Sequence, residues 1–286
     1  MLNNWMEHNF DYIIEKIKSA KELEYPFNHF YIKNLFSNEH YSLIQNSSQI
    51  NIPVSKNIVH LINNLHKTNW EIMSFPGCVT DIKTYVQSIK TDNFVIPEEK
   101  YRETLSSFGL CFKLKNSDDE FIKQLVNFFK SESFINCIIK KLKIRTPTTY
   151  YIFDIQKYLS GYEISPHPDN RFKKATLMIN INNEELNKDC SIHTSMLKPK
   201  EQTKKIIEFW KENIEVERDY LKWNECEIVK THSDTNSLLL FSPNNETIHG
   251  VKLKYNDLQH QRTNLYANIW VDRDINKIRR YLNINN

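Results

Sequence analysis

Glycine is scarce in this chain: there are four in 286 residues, where average usage would give about 20. They stand far apart, at Gly77, Gly109, Gly161 and Gly250. Phosphate-cradling loops of the GxGxxG and GxxxxGK[ST] kinds need clustered glycine, so nucleotide-binding readings built on them are excluded. Collagen-like and flexible low-complexity chains are excluded with them. The five cysteines (Cys78, Cys111, Cys137, Cys190, Cys226) are odd in number, widely spread and form no CxxC. They predict reduced thiols in a cytoplasmic protein, not a disulfide frame or a zinc knuckle. Long apolar runs are lacking too, which speaks against a membrane span, and the polar opening MLNNWMEHNF speaks against a secretory signal. Lys and Arg exceed Asp and Glu by only 38 − 35 = 3, too little for the concentrated basic face of a nucleic-acid binder. The partner expected is a small-molecule or peptidyl substrate, with no nucleic acid and no membrane; oligomeric state is left open.

What is present is an ordinary globular composition, 40% hydrophobic and 26% charged, with 12% aromatics to fill a core. The first half reads mostly as helix. Phe10, Ile13, Ile14 and Ile17 share a helical face, as do Ile58, Leu61, Ile62 and Leu65. Pro26–Phe36 reads as a short strand, with Ser37 as N-cap of the next helix. Phe108, Leu110, Phe112 and Leu114 have strand periodicity, and 118–143 returns to helix with Phe121, Leu125, Phe128 and Phe129 as its stripe. The second half is richer in β runs: Tyr150–Tyr158, Lys174–Ile181, Ser237–Phe241 and Arg262–Val271. A charged stretch, 198–224, carries Ile207, Trp210 and Ile214 at helical spacing. Helices first and strands later predict an α+β fold with helices on one face of a sheet sandwich.

Two HxD motifs occur, His167-Pro-Asp169 and His232-Ser-Asp234, where chance alone gives about half of one. His232 lies among turn formers, THSDTN, and reads as a solvated turn. His167 lies between two β runs. In extended chain an imidazole and a carboxylate two residues apart point the same way and can share one metal ion. His249, after a distant apolar strand, fits as the third ligand. In RTNLYANIWV, alternation puts Arg262, Asn264, Tyr266, Asn268 and Trp270 on one face and Thr263, Leu265, Ala267, Ile269 and Val271 on the other. A cation and two amides on one face suit a polar pocket.

From 150 to 271 the sequence resembles the Fe(II)- and 2-oxoglutarate-dependent oxygenases, in particular their prolyl-hydroxylase-like branch. The resemblance rests on Tyr158…Gly161…His167-Pro-Asp169, the following strand KKATLMININ, the run from Asn236 to Val251 with His249-Gly250-Val251, and the late Arg262. The early segment PFNHFYIKNLFSNEHY is similar as well. The resemblance implies a double-stranded β-helix (a cupin-like jelly roll) with the helical N-terminal half packed on it. One domain is then expected over 1–286, with mainly helical support in 1–145, a jelly-roll core in 146–275 and an insert at 184–235. It implies His167, Asp169 and His249 as catalytic iron ligands and Arg262 as the partner of the far carboxylate of 2-oxoglutarate. Tyr158 would be a second donor there, and Thr176, Asn180 and Asn264 would share the cosubstrate pocket, although an aromatic often stands where this chain has Asn180.

The implied cofactors are Fe(II), 2-oxoglutarate as cosubstrate and O2. The implied reaction hydroxylates an aliphatic carbon of a polar substrate and releases succinate and CO2. Halogenating relatives lack the carboxylate that Asp169 supplies, so hydroxylation is the expected outcome. An amino acid, a peptidyl residue, a glycan and a natural-product intermediate all remain open as substrate. The insert reads equally as a lid or a surface elaboration, and His193 within it reads as an ordinary surface or core histidine. The alternative from a different class is a non-catalytic jelly-roll protein that binds a ligand in the same cavity.

Overall fold

Polar caps set where four of the helices begin. Ser37, Asn57, Asp119 and Ser131 each accept a hydrogen bond from a backbone N–H of the first turn, satisfying donors that the helix itself leaves unpaired. The computed structural model describes residues 7–53, 55–73, 81–91, 109–145, 149–182, 193–253 and 261–271. Gly77, Cys78, Phe108 and Cys190 lie outside the described residues. The helices are α1 (Asp11–Ser19), α2 (Asn38–Asn46), α3 (Ile58–Lys67), α4 (Ile82–Thr91), α5 (Glu120–Phe129), α6 (Glu132–Lys141) and α7 (Lys204–Glu212). The continuous helix expected over 118–143 is two helices, because Ser131 turns the chain and caps α6 with its hydroxyl on Phe134 N. The first strands are β1 (Glu22–Leu23), β2 (His29–Lys33), β3 (Trp70–Ile72) and β4 (Cys111–Leu114). Then come β5 (Thr149–Tyr158), β6 (Glu163–His167), β7 (Lys173–Asn180) and β8 (Thr194–Pro199). The last four are β9 (Cys226–His232), β10 (Ser237–Phe241), β11 (His249–Lys252) and β12 (Arg262–Val271).

These strands form two antiparallel sheets. The larger runs β1-β2-β10-β7-β12-β5-β4-β3 and the smaller runs β6-β11-β8-β9. From β5 onward the chain passes back and forth between them: β5, β7, β10 and β12 go to the larger sheet, β6, β8, β9 and β11 to the smaller. Two four-stranded walls wound in that order are a double-stranded β-helix, the jelly roll. β2 extends one edge through Ile32 opposite Leu238, and β4 extends the other through Cys111 opposite Tyr158. The stretch 184–235 read as an insert supplies β8 and β9, half of the smaller wall, besides α7. β9 escapes a periodicity reading because it is an edge strand whose middle residues face outward.

The larger sheet is two-faced. Leu265, Ala267 and Ile269 join Phe153, Ile155, Leu177, Ile179 and Leu240 in one apolar core with the helices. Phe129 of α5 stacks on Phe153 at 5.0 Å and 9°, which ties helix to sheet. The other face meets the smaller wall, where Met178, Leu239 and Phe241 pack with Met196. Arg262, Asn264, Tyr266, Asn268 and Trp270 share that inner face by alternation along β12. Gly109 shows why glycine is kept: a Cβ there would lie 2.2 Å from Tyr162 N. Among the described residues no helix is long and apolar enough to cross a membrane.

Candidate metal centre

β6 ends on His167 and β11 begins on His249, and the two are direct partners across the antiparallel pair. Their rings stand 4.6 Å apart. The ladder shifts register between His249 and Val251, and Gly250 occupies that irregularity. A Cβ on it would come 3.1 Å from Ile164 O and 3.0 Å from Trp223, tighter than ordinary packing allows. Just past Pro168, Asp169 brings its carboxylate to the pair. Its Oδ1 lies 3.8 Å from His167 Nε2 and its Oδ2 lies 3.8 Å from His249 Nε2. One ligand atom from each of the three buried residues falls within 4.8 Å of the others, the span of one coordination sphere.

The donor chemistry suits a metal ion. His167 Nδ1 meets Ser165 O at 2.7 Å and His249 Nδ1 meets Thr247 O at 3.0 Å. A carbonyl can only accept, so each Nδ1 carries the proton and each Nε2 keeps its lone pair, the usual arrangement in metal-bound imidazoles. Burial pushes the His167 imidazole down to about 3, helped by its neighbour His249. His249 is lowered by burial as well. Both rings are neutral ligands at physiological pH.

Asp169 is held from both sides. Lys173 Nζ donates to Oδ1 at 2.6 Å and Thr176 Oγ1 donates to Oδ2 at 2.6 Å. Burial works against the Asp169 charge, but Lys173 and the two imidazoles outweigh it and hold the carboxyl well below its ordinary range. Lys173 in turn reaches Tyr266 Oη at 3.2 Å and lies over the rings of Tyr266 and Trp270, at 5.7 and 5.2 Å. Thr176, expected in the cosubstrate pocket, thus gives its hydroxyl to Asp169. Lys173 went unread for a definite reason. Counting back from Thr176, alternation turns Lys174 inward, but a register shift sets Lys173 opposite Trp270 and brings it to the inner face.

The second HxD does not converge. Asp234 accepts from Tyr31 Oη at 2.7 Å and pairs with Lys33 at 3.0 Å on the half-exposed side. His232 is 2% exposed, not solvated as expected from its turn-rich surroundings, because its Nε2 meets Ser237 Oγ at 2.8 Å inside the fold. His232 is pushed down to about 3 by burial and then by Arg262, and His193 is lowered by the same two causes.

Arg262 opens β12 opposite Tyr158 and is buried. Its Nη2 donates to Thr194 Oγ1 at 2.6 Å, and its guanidinium lies 5.3 Å from the Tyr158 ring centre. The surroundings of Asn264 orient its amide: the oxygen accepts from Arg262 Nη2 at 2.8 Å and Nε at 3.2 Å, and the nitrogen donates to Thr263 O at 2.9 Å. Tyr158 gives its hydroxyl to Gln156. Asn180 spends its carbonyl oxygen on Asn182, at 3.0 Å to the backbone N–H and 2.6 Å to the side-chain amide. Thr194 is the neighbour of Arg262 that sequence reasoning missed, since nothing in residues 193–199 marks them as a strand of the opposite wall.

The buried histidines make stability pH-dependent in a definite direction. His167 and His232 titrate near 3 when folded and near 6.5 when unfolded, and His249 is shifted the same way. As pH falls from 6.5 toward 3 the unfolded chain binds more protons, so stability is lost. The loss is about 1 kcal/mol per histidine over the first unit below 6.5. Urea titrations of metal-free protein on either side of that unit should show the midpoint dropping, and a flat midpoint would contradict the burial argument.

No family model matches the chain, and no curated protein does. Among solved structures it is similar to a prolyl hydroxylase from Trichoplax adhaerens in complex with a hypoxia inducible factor oxygen degradation domain peptide fragment. That match has a TM-score of 0.41 and 12% identity, over 94% of this chain and 91% of that one. It is also similar to a Pseudomonas putida prolyl-4-hydroxylase, at TM-score 0.39 and 9% identity over 92% and 98% of the two chains. A Burkholderia pseudomallei oxidoreductase of the 2OG-Fe(II) oxygenase family matches at TM-score 0.32 and 10% identity, over 77% and 93%.

Proposed function

We propose that the chain is an Fe(II)- and 2-oxoglutarate-dependent dioxygenase that hydroxylates an aliphatic carbon of a polar substrate. The observation that carries this is the buried set His167, Asp169 and His249, with both Nδ1 atoms tied to carbonyls and both Nε2 lone pairs turned to one point. Two imidazoles and a carboxylate on one side of an ion leave its other positions open, which dioxygen chemistry needs and a closed structural site lacks. Iron(II) held there with 2-oxoglutarate would supply dioxygen activation, with succinate and CO2 as coproducts.

The chain's own residues do the positioning. Lys173 and Thr176 fix the plane of the Asp169 carboxylate. Arg262 would take the far carboxylate of 2-oxoglutarate, its fork oriented by Thr194 and Asn264 and its flank covered by Tyr158. Met178, Met196, Leu239 and Phe241 form a buried apolar cluster between the two walls, and the Phe241 ring stands 5.2 Å from His249.

The test is anaerobic mixing of the protein with Fe(II) and 2-oxoglutarate, which should produce a visible charge-transfer band. Air should then release succinate. Protein that binds neither iron nor 2-oxoglutarate would end the oxygenase reading. Arg262→Gln removes charge-assisted hydrogen bonds and should weaken 2-oxoglutarate about 10- to 100-fold while leaving Mn(II) affinity nearly unchanged. Equal losses of both would assign Arg262 a folding role instead.

A further inference from the structure

The segment after α7 comes back over the metal centre. Leu221 N donates to Pro166 O at 2.7 Å, and the Tyr220 ring lies tilted against His167 at 4.8 Å. Two residues earlier, Arg218 is only 8% exposed. Its Nη1 has a long contact to Asn245 Oδ1, 3.5 Å, an oxygen it shares with Arg171 Nη1. Its Nε is buried with no partner, and among the described residues Nη2 has none and no ion pair reaches the guanidinium. Burial pulls Arg218 down to about 10, so it stays charged at neutral pH.

The charges nearby do not balance it. Arg171, Lys173, Lys174 and Arg218 face three carboxylates, Asp169, Glu217 and, beside Arg171, Glu215, in one electrostatic neighbourhood. Asp169 is already engaged by Lys173. Glu217 Oε1 accepts from the backbone N–H groups of Arg171 and Arg218, at 3.0 and 2.8 Å. Arg171 spends its guanidinium on the carbonyls of Val216, Trp210 and Asn213, which locks the segment in place. On the inner face beside Asp169 two more buried polar atoms lack partners, Trp270 Nε1 and Asn268 Oδ1. Trp270 borders Lys173, and Asn268 stands opposite Thr176.

A buried cation without a counter-charge is unfavourable unless a ligand supplies one. The unpaired Nε–Nη2 edge of a guanidinium is a planar fork whose match is a carboxylate bound through both oxygens. We propose that Arg218 is the substrate-anchoring cation of this site and that the substrate is a carboxylic acid, seated on the Arg218 fork beside the His167–Asp169–His249 centre. The word substrate rests on the oxygenase reading; the anion site stands without it. The carboxylate is either a free α-carboxylate or an acidic side chain.

The experiment uses the full chain labelled with 15N-arginine and saturated with 2-oxoglutarate, and follows the Nε–H cross-peaks by NMR. Arg218→Lys identifies its peak by deletion. Asn245→Ala removes the oxygen shared by Nη1 of Arg218 and Nη1 of Arg171, and should shift the peak that Arg218→Lys deletes. Acetate should move the Arg218 peak saturably in the millimolar range, and acetamide, its neutral isostere, at least tenfold less. N-acetylalanine and N-acetylaspartate α-amide then separate the two carboxylate sources, and saturation by either supports the site. A peak indifferent to acetate, or acetate displaced by 2-oxoglutarate from this residue, would overturn the proposal. Because the readout needs no metal, it is independent of the charge-transfer test: a responsive Arg218 without that band would sink the oxygenase reading and leave the anion site intact.

Discussion

His249→Ala is expected to lower Mn(II) or Fe(II) affinity by more than about 100-fold, beyond the 10- to 100-fold cost of disturbing a group that merely supports a ligand. The reason is geometric. His249 comes from the opposite strand to His167, so its loss leaves two ligands from a single stretch of chain, His167 and Asp169. No other histidine or acid joins the set among the described residues. His167→Ala should behave alike. His232→Ala should not, since that ring is bonded to Ser237. Calorimetric titration with Mn(II) reads affinity directly, and the anaerobic band reports whether 2-oxoglutarate still assembles on the ion. Unchanged metal affinity in His249→Ala would remove the centre from consideration.

Lys173→Met should destabilise the metal-free protein by about 3–5 kcal/mol, the cost of stripping one partner from a buried ion pair. For a chain of this length that is a fall in melting temperature of roughly 5–8 °C. Methionine keeps the volume between Tyr266 and Trp270 but leaves Asp169 with Thr176 as its remaining donor among the described residues. A divalent ion bound at the triad restores positive charge beside that carboxylate, so the deficit should shrink when Mn(II) is added. Thermal melts with chelator and with Mn(II) separate the two states. Equal melting of wild type and variant in chelator would show that Lys173 does not balance Asp169.

The stripes Ile13–Ile14–Ile17 and Ile58–Leu61–Ile62–Leu65 could be read directly because each helix buries one face only. β12 was readable for the same reason, with one face apolar and the other polar. The three metal-centre residues and Arg262 were readable as residue types in order, two extended segments and a late strand, although their meeting depends on contacts far apart in the chain. What could not be read lies where local pattern and fold disagree. β8 and β9 belong to the smaller wall, and β9, at its edge, has no apolar alternation to give it away. Lys173 faces inward through a register shift that no periodicity count contains. His232 is buried by a hydrogen bond to Ser237, five residues on, although its surroundings have the composition of a turn. Arg218 lies in a stretch of exposed charges and is buried only because the segment folds back onto β6.

The direct pairing of His167 with His249 has a consequence for assembly. An ion joining them would be a cross-link closing 249 − 167 = 82 residues of chain, made by chelation instead of a covalent bond. Its contribution to stability grows with ion concentration by mass action. A slip of one residue between β6 and β11 would turn one imidazole away from the other and break the link, because neighbouring side chains in a strand point to opposite faces. An ion bound there would therefore favour a single register of β6 and β11 within the smaller sheet, and its uptake during refolding would report that this pairing has formed.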